Sequence, residues 1–134
     1  MTVCRLVRAT ESELLTRPVG EAATPGQYMR FNTTTGYLEK GNATNATEIG
    51  GIGGVLIDDD AVVGMTATIA LPGAIVDLGT ALDAVAPGAS IFLSDTDATL
   101  ATSAGTVSRV IGAVAFEFGS VAGDRVLRLG IVGS

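Results

Sequence analysis

The chain has 134 residues, 8 Lys+Arg against 14 Asp+Glu for a formal charge of −6, 18 Gly, one Cys, and neither His nor Trp. Without histidine it lacks the side chain most used for proton transfer near neutral pH and the commonest metal ligand, and one cysteine makes neither an intrachain disulfide nor a cysteine-rich zinc site. The acidic balance opposes contact with phosphate backbones, no apolar run approaches the roughly 20 residues of a membrane span, and residues 1–8 lack the apolar stretch of a secretory signal.

The length suits one domain. Charged residues are 16%, below the roughly 25% of an average soluble domain. Aromatics are 4%, so the core is expected to be Val, Ile, Leu and Ala. Low charge with much Thr and Gly points to an all-β chain whose surface is largely covered by partners.

Residues 1–24 read as an N-terminal arm and 25–134 as a single β-rich domain. Thr2 to Arg8 fits a strand, with Cys4 a small buried or half-buried apolar residue in a reducing compartment. Thr10-Glu11-Ser12-Glu13 has capping-box spacing, and Pro18 stops any helix begun there. A short helix and an irregular arm fit this segment equally well. Pro25-Gly26 turns, Gln27 to Asn32 extends, Thr33 to Gly36 turns, and Tyr37-Leu38-Glu39 returns as a hairpin. Residues 40–54, polar and glycine-rich, read as a loop or bulged edge. Val55-Leu56-Ile57 is a short buried strand. Val62 to Ala70 alternates, with Val63, Met65, Ala67 and Ile69 on one face and Thr66 and Thr68 on the other. Ala74 to Leu78 extends again. Thr80 to Ala86 is the best helix, closed by Pro87-Gly88. Ser90 to Ser94 and Ala98 to Leu100 form a second hairpin around Asp95-Thr96-Asp97. Thr106 to Phe118 is a long strand bent at Gly112, and Arg125 to Val132 is the last. About eight short strands and one helix near 80–86 fit a small β-barrel or β-sandwich.

The two hairpins echo each other. Pro25-Gly26-x-x-Met29-x-Phe31-Asn32-x-Thr34-x-x-x-Leu38 matches Pro87-Gly88-x-x-Ile91-x-Leu93-Ser94-x-Thr96-x-x-x-Leu100 at a constant displacement of 62 residues (25 to 87). The shared device is a Pro-Gly entry, two inward apolar residues, a polar turn and a returning leucine. Two related half-barrels are expected.

Few motifs point to chemistry. Ile91 to Thr99 imitates the apolar strand and Asp-x-Asp of haloacid-dehalogenase-type phosphatases, but no lysine follows, and Glu117 and Asp124 are the only later acids. Asp95 and Asp97 are better read as turn formers that bond nearby backbone N–H groups. Asp58-Asp59-Asp60 lacks the spacing of a calcium loop. Gly50 to Gly54 lacks the Lys-Ser/Thr of a phosphate loop and reads as a flexible loop. The sequons at Asn32, Asn42 and Asn45 read as Asn/Thr turns. No catalytic residue, metal site or cofactor is expected, and the chain is not expected to be an enzyme. Arg5, Arg8 and Arg17 put three cations in the first 17 residues, where an exposed arm would meet an acidic partner or pair with Glu11 and Glu13.

The order and spacing of several stretches carry a resemblance. These are Gly26 to Asn32 with Thr35 to Glu39 and Gly41 to Thr44, then Val76 to Leu82, Pro87 to Leu100, Gly105 to Gly112 and Asp124 to Leu129. Together, across residues 25–132, they resemble the small capsid decoration (cement, head-stabilisation) proteins of tailed bacteriophages. The resemblance implies a tulip-like β-fold and homotrimers at the threefold and quasi-threefold axes of an icosahedral head. It also implies binding to the major capsid protein on the outer surface of the virion after synthesis in the host cytoplasm, with no catalytic residues, nucleic acid or membrane involved. Residues expected to touch the capsid, by exposure alone, lie in the arm (Arg5, Arg8, Arg17) and the 40–54 loop (Asn42, Asn45, Ile49, Ile52). The alternative is a virion-surface carbohydrate- or ligand-binding β-barrel. Sugar platforms use exposed aromatics, and only Tyr28 and Tyr37 are on offer besides phenylalanine.

Overall fold

Among the described residues strands make up nearly all of the regular structure, as a Val-, Ile- and Thr-rich chain favours. The computed structural model describes residues 4–57, 59–78, 82, 85–86, 88–116 and 125–130. Among these, eleven strands form two antiparallel sheets. They are β1 (Arg5–Arg8), β2 (Leu14–Pro18), β3 (Tyr28–Phe31), β4 (Leu38–Lys40), β5 (Gly53–Leu56), β6 (Thr66–Ala70), β7 (Ile75–Asp77), β8 (Ser90–Leu93), β9 (Leu100–Ala101), β10 (Val110–Phe116) and β11 (Arg125–Leu129). The first sheet runs β1-β7-β11-β10-β8-β9 and the second β2-β6-β5-β3-β4. The sheets do not close into a barrel, so the all-β expectation holds in its sandwich-like form.

Residues 5–18 are paired into both sheets rather than hanging as an arm. β1 forms one edge of the first sheet on β7. A 3-10 turn at Glu11–Glu13 follows, and β2 then forms an edge of the second sheet on β6. Half of the capping box forms, with the Glu13 carboxylate accepting the Thr10 N–H at 2.8 Å. A strand follows because Leu14 and Leu15 bury on opposite faces, one in each apolar cluster, and only a period of two does that.

The 40–54 segment is more ordered than a loop. It contains the single described α-helix, α1 (Ala46–Ile49), one turn long, and the start of β5. Asn45 caps α1 by accepting the Glu48 N–H at 3.0 Å. Gly53 and Gly54 are buried strand residues. The strand expected from Val62 begins only at Thr66. Gly64, at φ 91°, sits in a β-turn closed by Met65 N–H to Val62 C=O at 3.0 Å. Val62, Val63 and Met65 are therefore exposed, whereas Ala67 and Ile69 point inward as expected. β10 starts at Val110, and its register with β8 slips between Val110 and Gly112, where the bend was expected. The helix expected over 80–86 lies mostly outside the described residues, as do Glu117 and Phe118; of it, Leu82 is buried.

The echo between hairpins extends to the whole architecture. The order β2-β6-β5-β3-β4 recurs as β7-β11-β10-β8-β9, with every pairing antiparallel. Arg30↔Glu39 and Phe31↔Leu38 correspond to Phe92↔Ala101 and Leu93↔Leu100, all displaced by 62 residues (30 to 92, 38 to 100). Val55↔Ala70 and Leu56↔Ile69 correspond to Ala113↔Arg128 and Val114↔Leu127, displaced by 58 (55 to 113, 70 to 128). Irregular bonds repeat too. Gly26 N–H reaches Leu56 C=O at 2.8 Å, and Gly88 N–H reaches Val114 C=O at 2.7 Å. Thr34 N–H bonds Asn32 Oδ1 at 2.9 Å, and Thr96 N–H bonds Ser94 Oγ at 3.0 Å. Gly36 (φ 80°) matches Ala98 (φ 58°), the one non-glycine residue at positive φ among those described. The halves are thus two copies of one five-stranded unit, as open sheets rather than half-barrels.

The copies bury the same face against different covers. In the second sheet, Met29, Leu38, Leu56 and Ile69 pack under Val19, Ala23 and Ala61 of their own connections. Their counterparts Ile91, Val114 and Leu127, with half-buried Leu100, join the main core, where Tyr28, Val55 and Ala70 from the other face of the second sheet also sit.

Candidate functional site

The capsid-contact residues expected from sequence are distributed over elements of both sheets and α1. Arg5 and Arg8 lie on edge strand β1. Arg17 is exposed on β2, its guanidinium 5.5 Å from the Phe31 ring centroid and its Nη1 donating to the Thr16 carbonyl at 2.8 Å. Asn42 is half-buried and holds a turn, its Oδ1 accepting the Thr44 N–H at 3.1 Å and its Nδ2 donating to Asp97 at 3.2 Å. Asn45 is exposed but serves as the cap of α1. Ile49 is buried in the main core, so its side chain is not offered to a partner, while Ile52 is exposed. All three sequon asparagines use their side chains in turns or caps, as their Asn/Thr reading implied.

The most elaborated polar cluster surrounds Tyr28. Its hydroxyl donates to the Ile49 carbonyl at 2.7 Å. Gly41 and Gly53 form a slot for the ring, since a β-carbon at either would collide with it. Part of the glycine-rich composition thus has a specific cause: the loop and β5 must approach an aromatic closely. Burial pushes the Tyr28 phenol up from its ordinary pKa, against the opposing pull of Arg109 and Arg30. Arg30 Nη2 contacts Glu39 at 2.9 Å, and its Nε lies 3.9 Å from Glu48. Arg30 and Glu39 are directly opposed across β3 and β4. This arrangement locks hairpin, α1 and β5 together, and Tyr28 also lines a small cavity with Gly53, Gly54, Arg109 and Ile111.

Asp95 and Asp97 sit in the turn between β8 and β9, as expected, but their bonds are long-range. The Asp95 carboxylate accepts the Thr106 N–H and hydroxyl, each at 2.7 Å. These bonds hold its pKa below the usual carboxylate value. No group of three or more His, Cys, Asp or Glu side chains suited to a metal occurs among the described residues. No helix among them is long and apolar enough to cross a membrane.

The surface that sequence reasoning missed is apolar. Tyr37, Val62, Val63 and Met65 are exposed, and the segment 18–20 runs between them. Val19 N–H donates to Met65 C=O at 2.8 Å, Gly20 N–H donates to Leu38 C=O at 2.9 Å, and Val19 bridges Leu38. Alternation had placed Val63 and Met65 inward; the usable signal was Gly64, a turn residue in the middle of the run. Comparison of the chain with protein-family models, curated proteins and solved structures finds no match.

Proposed function

We propose that the chain is a structural decoration protein that binds the outside of an expanded phage head and clamps neighbouring major capsid subunits, assembling as a trimer at threefold positions. The observation that carries this reading is the ordered run of motifs across residues 25–132, whose two principal pieces lie in the β3–β4 and β8–β9 hairpins. Two further features support it. The charge of −6 suits the outer side of a DNA-filled shell, where phosphate contact is not wanted. The exposed apolar residues around 18–20 provide contact area of the kind protein interfaces use. A clamp summed over many copies works with modest individual contacts. The carbohydrate-binding alternative loses one of its two tyrosines, because Tyr28 is buried.

The test is direct. Purified protein is mixed with expanded, undecorated heads of the phage that encodes it, pelleted and quantified, and the particles are then heated. Saturable binding with a higher particle melting temperature is expected. Absence of binding, or binding without thermal gain, rejects the proposal.

A further inference from the structure

Six large apolar side chains are exposed among the described residues, and four of them lie on the two sides of segment 18–20. Tyr37 is 46% exposed, Val62 53%, Val63 60% and Met65 63%. A β-carbon at Gly20 would stand 3.0 Å from the Tyr37 Cβ, so Tyr37 leans along this segment on one side. Gly64 and Met65 flank it on the other, bonded to Val19. Pro18 and Ala22 are exposed along the same stretch.

The patch is held in shape before any partner arrives. The Val62–Met65 turn is closed by its own hydrogen bond and anchored on both sides. Ala61 and Ala23 exchange N–H···O=C bonds at 2.9 and 3.2 Å, and Val19 takes the Met65 carbonyl. A preformed apolar knob loses little conformational freedom on docking. Aromatic and methionine side chains are also the types enriched at interfaces. Around it stand three exposed carboxylates, Glu21, Asp59 and Asp60, against one exposed cation, Arg17, whose guanidinium lies over the Phe31 ring, so the rim is acidic on balance.

We propose that Tyr37, Val62, Val63 and Met65 form the docking knob of this chain, and that its occupant is an apolar hollow with a basic rim on the shell protein. The inference rests on the decoration reading and gives it a surface. Charge selects among occupants. A second copy presents the same acidic rim, and an anionic bilayer repels it, whereas a lysine- or arginine-rimmed hollow is attracted and steered into place.

Two variants test the assignment against undecorated expanded heads. Val63→Glu with Met65→Glu changes only exposed side chains, so the unfolding midpoint is expected to stay, while head affinity falls roughly 100-fold, the scale of removing two central contact residues. Asp59→Asn with Asp60→Asn is expected to slow association and to flatten its dependence on salt. Head binding unchanged in the glutamate variant overturns the knob and leaves the decoration reading standing. Wild-type binding to phosphatidylserine vesicles, or a wild-type oligomer that the glutamate variant breaks while head binding persists, assigns the patch to another occupant and overturns the proposal. Failure of the wild-type protein to bind heads overturns both.

Discussion

Two residues link the local chemistry to measurable pH limits. Tyr28 is buried with its hydroxyl on the Ile49 carbonyl, and its ionisation is pushed above the ordinary value of about 10. A group raised in the folded state contributes stability that is full below the unfolded pKa and lost as pH rises through the folded one. Tyr28→Phe is therefore expected to remove part of the alkaline instability. At neutral pH it should cost about 1–3 kcal/mol, because the Ile49 carbonyl loses its donor in a buried setting. Urea unfolding at pH 7 and above pH 10 checks both. Asp95 works in the opposite sense. Its depressed pKa contributes stability that is full above about 3.9 and lost as pH falls through the lower folded value. Asp95→Asn should flatten the acid end of the stability curve, and a midpoint that still falls identically below pH 4 would count against the Thr106 contact as its cause.

At the scale of elements, β2 shows how an exposed edge is kept from pairing with strangers. Glu13, Leu15 and Arg17 face β6 in the ladder, as the Leu71 N–H to Glu13 C=O and Val19 N–H to Met65 C=O bonds fix its phase. Leu14, Thr16 and Pro18 then turn their backbone outward. Pro18 has no N–H there, and the Arg17 guanidinium occupies the Thr16 carbonyl. Both devices blunt an edge. Arg17→Ala with Pro18→Thr should raise concentration-dependent association, read by light scattering, while the monomer unfolds as before.

The same element marks where the sequence stopped being readable. The strands around Tyr28, Val55, Ile69, Ile91 and Leu127 were legible because each alternates or sits between Pro-Gly or Gly turns. β2 was missed because Leu14 and Leu15 are adjacent apolar residues that bury into two different clusters, and no one-sided periodicity reports that. Residues 40–54 looked like a loop because the glycines that make room for Tyr28 carry no side-chain pattern. The surface knob was hidden by an alternation that runs on past Gly64 in sequence but not in space.

For the whole molecule, the organising fact is the repeat. Gly54 and Gly112 occupy equivalent positions, and a β-carbon at each would overlap the carbonyl of Ala70 or Arg128, themselves equivalent. Alanine at either position is expected to cost about 2–4 kcal/mol through strand displacement, with similar losses at both. Gly51→Ala, with open space around it and no positive φ, serves as the neutral comparison in urea unfolding.

Two units with the same register also pose a problem of self-recognition during folding. β3 and β8 present interchangeable backbone ladders, so either could zip onto β5 or β10, trapping the chain in a swapped arrangement with nearly native hydrogen bonding. What separates the right partner from the wrong one is the divergence between the copies. An ion pair holds Arg30 and Glu39 where Phe92 and Ala101 stand in the other copy, and Tyr28 needs a glycine slot that Ser90 does not. The differences between the halves thus act as an address label for each strand, and a chain whose copies drifted back toward identity would fold more slowly for it.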